Sequence, residues 1–225
     1  MRQVAWYSDN PVRFGNQLVM RKWMYEQFRQ FGNVTLYDFQ STAGWTFNLD
    51  LYKDLSHHSG EVNSLIAEAI GTRNTDYLVT DKNIDGFNQL LEMQAQSAVI
   101  DSSGNLYQSS VLVNGQKIDF TVRLIQGNKE LWLSAKDTAA ALGATVTWDA
   151  SAKTVILNNG DHRVVMTLGS TEALVNSSNS ALEAAPLLVG GRALIPMAFT
   201  AEKLGWKVST AKTDSWVRYS LTSGS

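Results

Sequence analysis

Two stretches of the chain spell one pattern. LWLSAKDTAAALGATVTWDASAKTVIL fills residues 131–157 and ALIPMAFTAEKLGWKVSTAKTDSWVRY fills 193–219. A shift of 62 positions lays Leu133 on Ile195, Leu142 on Leu204, Gly143 on Gly205, Val146 on Val208 and Val155 on Val217. Each stretch reads as a short strand, a helix closed by Leu-Gly, and a two-stranded hairpin. Glycine after the last helical turn adopts positive φ at little cost, so Gly143 and Gly205 are natural helix stops. Ser134 and Pro196 open the two helices at matching places. A duplicated pattern of this kind predicts two equivalent packing units that share one core. HRVVMTLGSTEALVNSSNSALEAAPLLVGG, which lies between them, reads as strand, turn, strand and loop. Gly190-Gly191 there reads as a strand turn, since no lysine or helix follows to make a phosphate cradle.

Composition shifts near residue 98. The text from Ala98 to Leu133 is strand-rich, with turns at SG, NG and GN. This predicts a first region over 1–97, a linker over 98–107 and a second domain over 108–220. In the first region, QVAWYS and NVTLYDF read as strands, and DYLVT as a further short one. QLVMRKWMYEQFRQFG, GEVNSLIAEAIG and NIDGFNQLLEMQAQSA read as helices. Gly32 ends the first helix, whose apolar residues include Leu18, Val19, Met24, Phe28 and Phe31. Ser59 caps the second, and Val62, Leu65, Ile66 and Ala69 form its stripe. Strands alternating with helices predict an α/β arrangement, yet too few strands stand here for a complete sheet.

The totals exclude several functions. The 225 residues include no cysteine, which removes disulfides, thiolate catalysis and cysteine zinc sites. The formal charge of -2 gives no basic footprint for nucleic acid. No apolar run is long enough to span a bilayer. No cofactor is expected.

The segment DLSHHSG, residues 54–60, carries two of the three histidines. Asp54 can hold the His57 imidazole in one tautomer, the arrangement that lets an imidazole take a proton from a serine hydroxyl. Adjacent His57 and His58 do not converge on one metal ion without a third ligand. His162, beside Asp161, reads as a solvated turn residue. Trp148, Trp206 and Trp216 fall in or near the hairpins and read first as core. Exposed indoles at Trp148 and Trp206 would instead offer a platform for glycan. Trp45 and Phe47 read as loop anchors or as the lining of a former site.

VLVNGQKIDF, LWLSAKDTAAALGATVTWDASAKTVIL and LLVGGRALIPMAFTAEKLGWKVS resemble the small domain named after the N-terminal domain of copper amine oxidases. The resemblance covers residues 111–219. It implies a compact α+β stalk or attachment module of cell-surface and secreted proteins in Gram-positive bacteria. It implies no copper chemistry, since His162 is the second half's one histidine and three are needed. LYDFQ and LDLYKDLSHHSGEVNSLIAEAI resemble, more weakly, the tail of an SGNH-type hydrolase domain. That resemblance implies Asp54 as the orienting acid and His57 as the general base. The Gly-Asp-Ser block that carries the family's nucleophile does not precede them.

The expectation is therefore an α+β domain of two related units preceded by a partial, SGNH-like α/β segment. It is expected to be an extracellular, non-catalytic module of the cell surface or wall, with an upstream signal segment missing from this chain. One alternative is an O-acyl esterase of wall polysaccharide, if a missing N-terminal segment supplies the serine. Another is a glycan-binding module, with wall polysaccharide as partner. An incomplete sheet in residues 1–97 would expose an edge and an apolar face and favour a homodimer.

Overall fold

The computed structural model describes residues 10–54, 57–96, 108–118, 120, 122–126, 130–213 and 216–224. The chain forms two compact units, Met1–Gln96 and Ser97–Ser225. The first is helical among its described residues. Helix α1 spans Pro11–Phe28, the short α2 spans Ala43–Thr46, α3 spans Gly60–Gly71 and α4 spans Ile84–Gln96. Asn10 caps α1 by accepting the Arg13 amide at 2.9 Å, and Pro11 presets the first helical φ. The helix thus starts six residues before the expected Gln17. It ends at Phe28 rather than running to Gly32.

The apolar residues expected to seat α1 do not. Val19, Met24, Phe28 and Phe31 are exposed, as are Val12, Met20 and Trp23. Phe14 and Tyr25 are buried instead. Arg21 fixes the helix on that buried side. Its guanidinium donates to Asp38 at 2.6 Å, to Gln40 at 2.8 Å and to Asn88 at 2.8 Å. In α3, Val62 and Ala69 are buried while Leu65 and Ile66 are partly so.

The expected strands of this unit are corrected. QVAWYS lies outside the described residues. NVTLYDF and DYLVT meet at one antiparallel bridge, Tyr37 opposite Leu78, flanked by Asp38 N to Tyr77 O and Val79 N to Leu36 O. The pairing stops there for a local reason. The Asp38 carboxylate accepts the Gln40 amide at 2.7 Å and the Arg21 guanidinium, which turns the chain out of the extended line. No sheet, and so no unpaired sheet edge, stands among the described residues of this unit. Most of its exposed apolar side chains lie on α1, with Phe31, Val34 and Ile70 outside it.

The second unit is mixed α and β, with three sheets among its described residues. Its elements are β1 (Gln108–Val113), β2 (Gln116–Lys117), β3 (Arg123–Gln126), β4 (Glu130–Ser134), α5 (Ala135–Leu142), β5 (Thr145–Asp149), β6 (Thr154–Asn159), β7 (His162–Thr167), β8 (Glu172–Val175), β9 (Ser178–Ala181), β10 (Leu187–Val189), β11 (Arg192–Pro196), α6 (Met197–Lys203), β12 (Trp206–Lys212) and β13 (Trp216–Ser223). The sheets run β12-β13-β1-β2, β10-β11-β4-β3 and β5-β6-β7-β8-β9. All pairings are antiparallel except β1 with β13, which is parallel.

Alternation decides which face is core. In the third sheet Val155, Leu157, Val164, Met166 and Ala173 share one face through their register, and all are buried. In the second sheet Leu131, Trp132, Leu133, Leu194 and Ile195 are buried without alternation, because elements cover both faces. Helix α5 opens on Ser134, whose hydroxyl accepts the Asp137 amide, and closes on Gly143 at φ 62°. Helix α6 opens after Pro196 and closes on Leu204, with Gly205 following at φ 86°. Gly190 and Gly191 both take positive φ in the tight turn between β10 and β11.

Candidate functional site

The loop that carries DLSHHSG is held by its ends. Lys53 N donates to His57 O at 2.9 Å, Ser59 N donates to Leu51 O at 2.7 Å, and Tyr52 bridges His58. This brings Asp54 and His57 together. Nδ1 of His57 lies 2.7 Å and 2.9 Å from the two carboxylate oxygens, and the His57 amide donates to the same carboxylate. The pairing expected from the spacing is present, but its setting is open. The His57 side chain is 76% exposed and that of Asp54 is 56% exposed. A triad acid works from a dry pocket, where its charge keeps full strength. Among the described residues no serine hydroxyl bonds the imidazole. Ser59, the described serine nearest in sequence, sits at the N-terminus of α3 with its Oγ buried and without a hydrogen bond. It therefore does not cap α3 through its side chain as the sequence suggests. His58 lies against the Tyr52 ring at 5.6 Å, and burial raises the Tyr52 phenol above its ordinary range.

The tryptophans separate. Trp132 is buried between strands, whereas Trp206 and Trp216 are partly covered. Trp148 is 42% exposed, at the free edge of the third sheet beside Val146. Trp148 and Trp206 lie in different sheets. In the first unit Trp45 joins a cluster that the sequence does not announce. Tyr37, Phe39, Trp45 and Tyr77 stack in turn with ring centres 4.9–6.1 Å apart. Phe47 is buried, as a loop anchor should be. His162 stands exposed at the start of β7, directly after the turn at Asp161, and its ring lies over the bare Cα of Gly205.

One cleft of about 360 Å³ opens in the second unit. Glu130, at the start of β4, is half-buried in its wall, and Glu183 and Glu202 face the same space. Phe199, Tyr219 and Lys212 complete its character. Burial first, then the charges of Glu183 and Glu202, push the Glu130 carboxyl up to about 7. The sequence hides this cluster because the three glutamates come from separate elements. Arg123 is also deeply buried, which lowers its guanidinium to about 10 and leaves it charged at neutral pH. It donates to Ser109 at 2.7 Å. Among the described residues no three His, Asp or Glu side chains are disposed to hold a metal ion.

The strand order and the helix stops of the second unit can be set against known proteins. Residues 112–218 match the family model of the copper amine oxidase N-terminal domain. The copper amine oxidase N-terminal domain is a non-catalytic, stalk-type module. A protein of Brevibacillus choshinensis named protease inhibitor is 28% identical over 119 residues, which is 53% of this chain and 36% of that protein. The chain thus spans little more than a third of that relative. No helix among the described residues is long and apolar enough to cross a membrane.

Proposed function

We propose that this chain is a non-catalytic, extracellular module of the cell surface or cell wall, in which residues 108–220 act as a stalk built from two related units. The match of residues 112–218 to a stalk-type domain carries this reading. The duplication has a geometric support. Strands β4 and β11 pair antiparallel with Leu133 opposite Ile195, the two positions that the 62-residue shift superposes. Equivalent residues facing each other across an antiparallel pair imply a local two-fold axis, as expected of paired units around one core. The units then diverge: the β5–β6 hairpin joins the third sheet and the β12–β13 hairpin joins the first.

The test is sedimentation with isolated Gram-positive cell walls. The full chain should pellet with the walls, and recovery in the supernatant at all wall concentrations would sink the reading. A glycan platform is favoured by the exposure of Trp148. Trp148→Ala should then lose retention with an unchanged circular dichroism spectrum, and Trp206→Ala should lose less. An SGNH-type esterase remnant is favoured by the Asp54–His57 bond. The non-catalytic reading predicts no hydrolysis of p-nitrophenyl acetate above buffer. Turnover that His57→Ala abolishes would replace it with the esterase. The homodimer expectation has the exposed side of α1 in its support, and a monomer at every concentration in ultracentrifugation ends it.

A further inference from the structure

The acidic cleft has an arch over one side. Between β9 and β10 the chain is tied twice, by Leu182 N to Thr171 O at 2.8 Å and by Gly169 N to Pro186 O at 3.0 Å. Leu182 and Pro186 are buried at these ties, while Glu183 between them is exposed. Among the described residues no backbone hydrogen bond holds residues 183–185. The arch therefore has fixed feet and an untied crown, and the crown carries a carboxylate toward the cleft.

Glu130 on β4 and Glu202 from α6 line the same cleft as Glu183, and both Glu183 and Glu202 lie close enough for their charges to act on Glu130. The remaining ionisable groups facing this space are Lys212 from β12 and the Tyr219 phenol from β13. Tyr219 is engaged at the strand, its oxygen accepting the Leu131 amide at 3.3 Å. Strand β3 pairs Gln126 with Glu130 in register. Helix α5 and strand β11 also pack on β4, and neither brings a charged side chain to the cleft. Three carboxylates and one ammonium group thus share one half-dry space. All three glutamates ionised together repel one another, and the untied crown is the part that can move to relieve it.

We propose that this cleft is a proton-operated latch: a proton on Glu130 keeps the Leu182–Pro186 arch closed on β4 and α6, and its loss lets the arch lift. Opening gives Glu130 back to water. The sign follows from its carboxyl, which titrates near 7 when closed against an ordinary value of 4.5. The closed state therefore binds the extra proton. Closure is firmest below about pH 4.5 and weakens as pH rises through 7. Full return to the ordinary value would raise the opening equilibrium roughly 25-fold between pH 5.5 and pH 8. Water already reaches part of the carboxylate, so a several-fold rise is expected.

Site-resolved hydrogen exchange on the full chain reads the latch. The Leu182 and Gly169 amides, which form the two feet, report opening once rates are corrected for intrinsic chemistry. In the wild type, protection at both should fall several-fold from pH 5.5 to pH 8. Amides of α3 in the first unit serve as the control and should not change. Glu130→Gln should hold both feet at their low-pH protection throughout. Glu183→Gln, at an exposed position where folding is not at stake, should shrink the pH effect. Protection independent of pH in the wild type overturns the latch. So does a pH effect that persists undiminished in Glu183→Gln or in a folded Glu130→Gln.

Discussion

Gly143 and Gly205 look interchangeable in the sequence, since both follow Leu at the end of a helix. Their surroundings separate them. A Cβ on Gly143 would meet nothing within 4 Å, whereas one on Gly205 would lie 2.7 Å from Nε2 of His162. Both residues have positive φ, so alanine at either costs about 1–2 kcal/mol in backbone strain. Gly205→Ala must in addition push the imidazole aside. Urea unfolding should show Gly143→Ala destabilised by about 1 kcal/mol and Gly205→Ala by about 1–2 kcal/mol, since the exposed imidazole can swing aside. His162→Ala combined with Gly205→Ala should recover the difference. Equal costs for the two glycines would mean that the imidazole yields freely. The helix stops were legible because they are local chemistry. The His162 contact was not, because it joins positions 43 apart, from the start of β7 to the turn after α6.

Helix α1 shows how an element can be found and still be misplaced. Its presence and type were legible from apolar spacing, but both ends were displaced, since Asn10 and Pro11, the residues that start it, lie outside any apolar pattern. The face was misread too. What seats α1 is a guanidinium, Arg21, whose partners Asp38, Gln40 and Asn88 come from two other segments. The Asp38 side chain is 2% exposed and that of Arg21 is 17% exposed. Removing one member of such a pair strands the other in a poor solvent, at a cost of about 3–5 kcal/mol for a fully buried pair. Because Arg21 keeps two neutral acceptors and some water, Asp38→Ala should cost about 2–3 kcal/mol. Hydrogen exchange in α1 and α4 should quicken accordingly, and Asp38→Asn should fall between it and the wild type. The Asp54–His57 pair gives the opposite case. Its geometry was legible from a three-residue spacing, and its exposure was not, because burial is set by what the rest of the chain places above it.

The second unit is closed by strands from its two ends. Gln108–Val113 pairs in parallel with Trp216–Leu221, roughly a hundred residues later. No local pattern announces such a partner, so the strands were legible and their pairing was not. Parallel pairing at that separation must wait for loop closure, which makes it a late and slow event in folding. It is also indispensable. β12 has β13 as its one sheet neighbour, and β13 sends Val217, Tyr219 and Leu221 into the core at 5% exposure or less. Burial of three such side chains contributes roughly 5–8 kcal/mol, as much as the whole net stability of a domain this size. A chain ended after Thr213 should therefore lose the near-ultraviolet circular dichroism of the second unit and its cooperative melt. A chain ended after Ser223 should keep both. If the shorter chain still melts cooperatively with its tryptophans in fixed surroundings, the core does not depend on the β1–β13 closure, and the second unit must be held by its other two sheets alone.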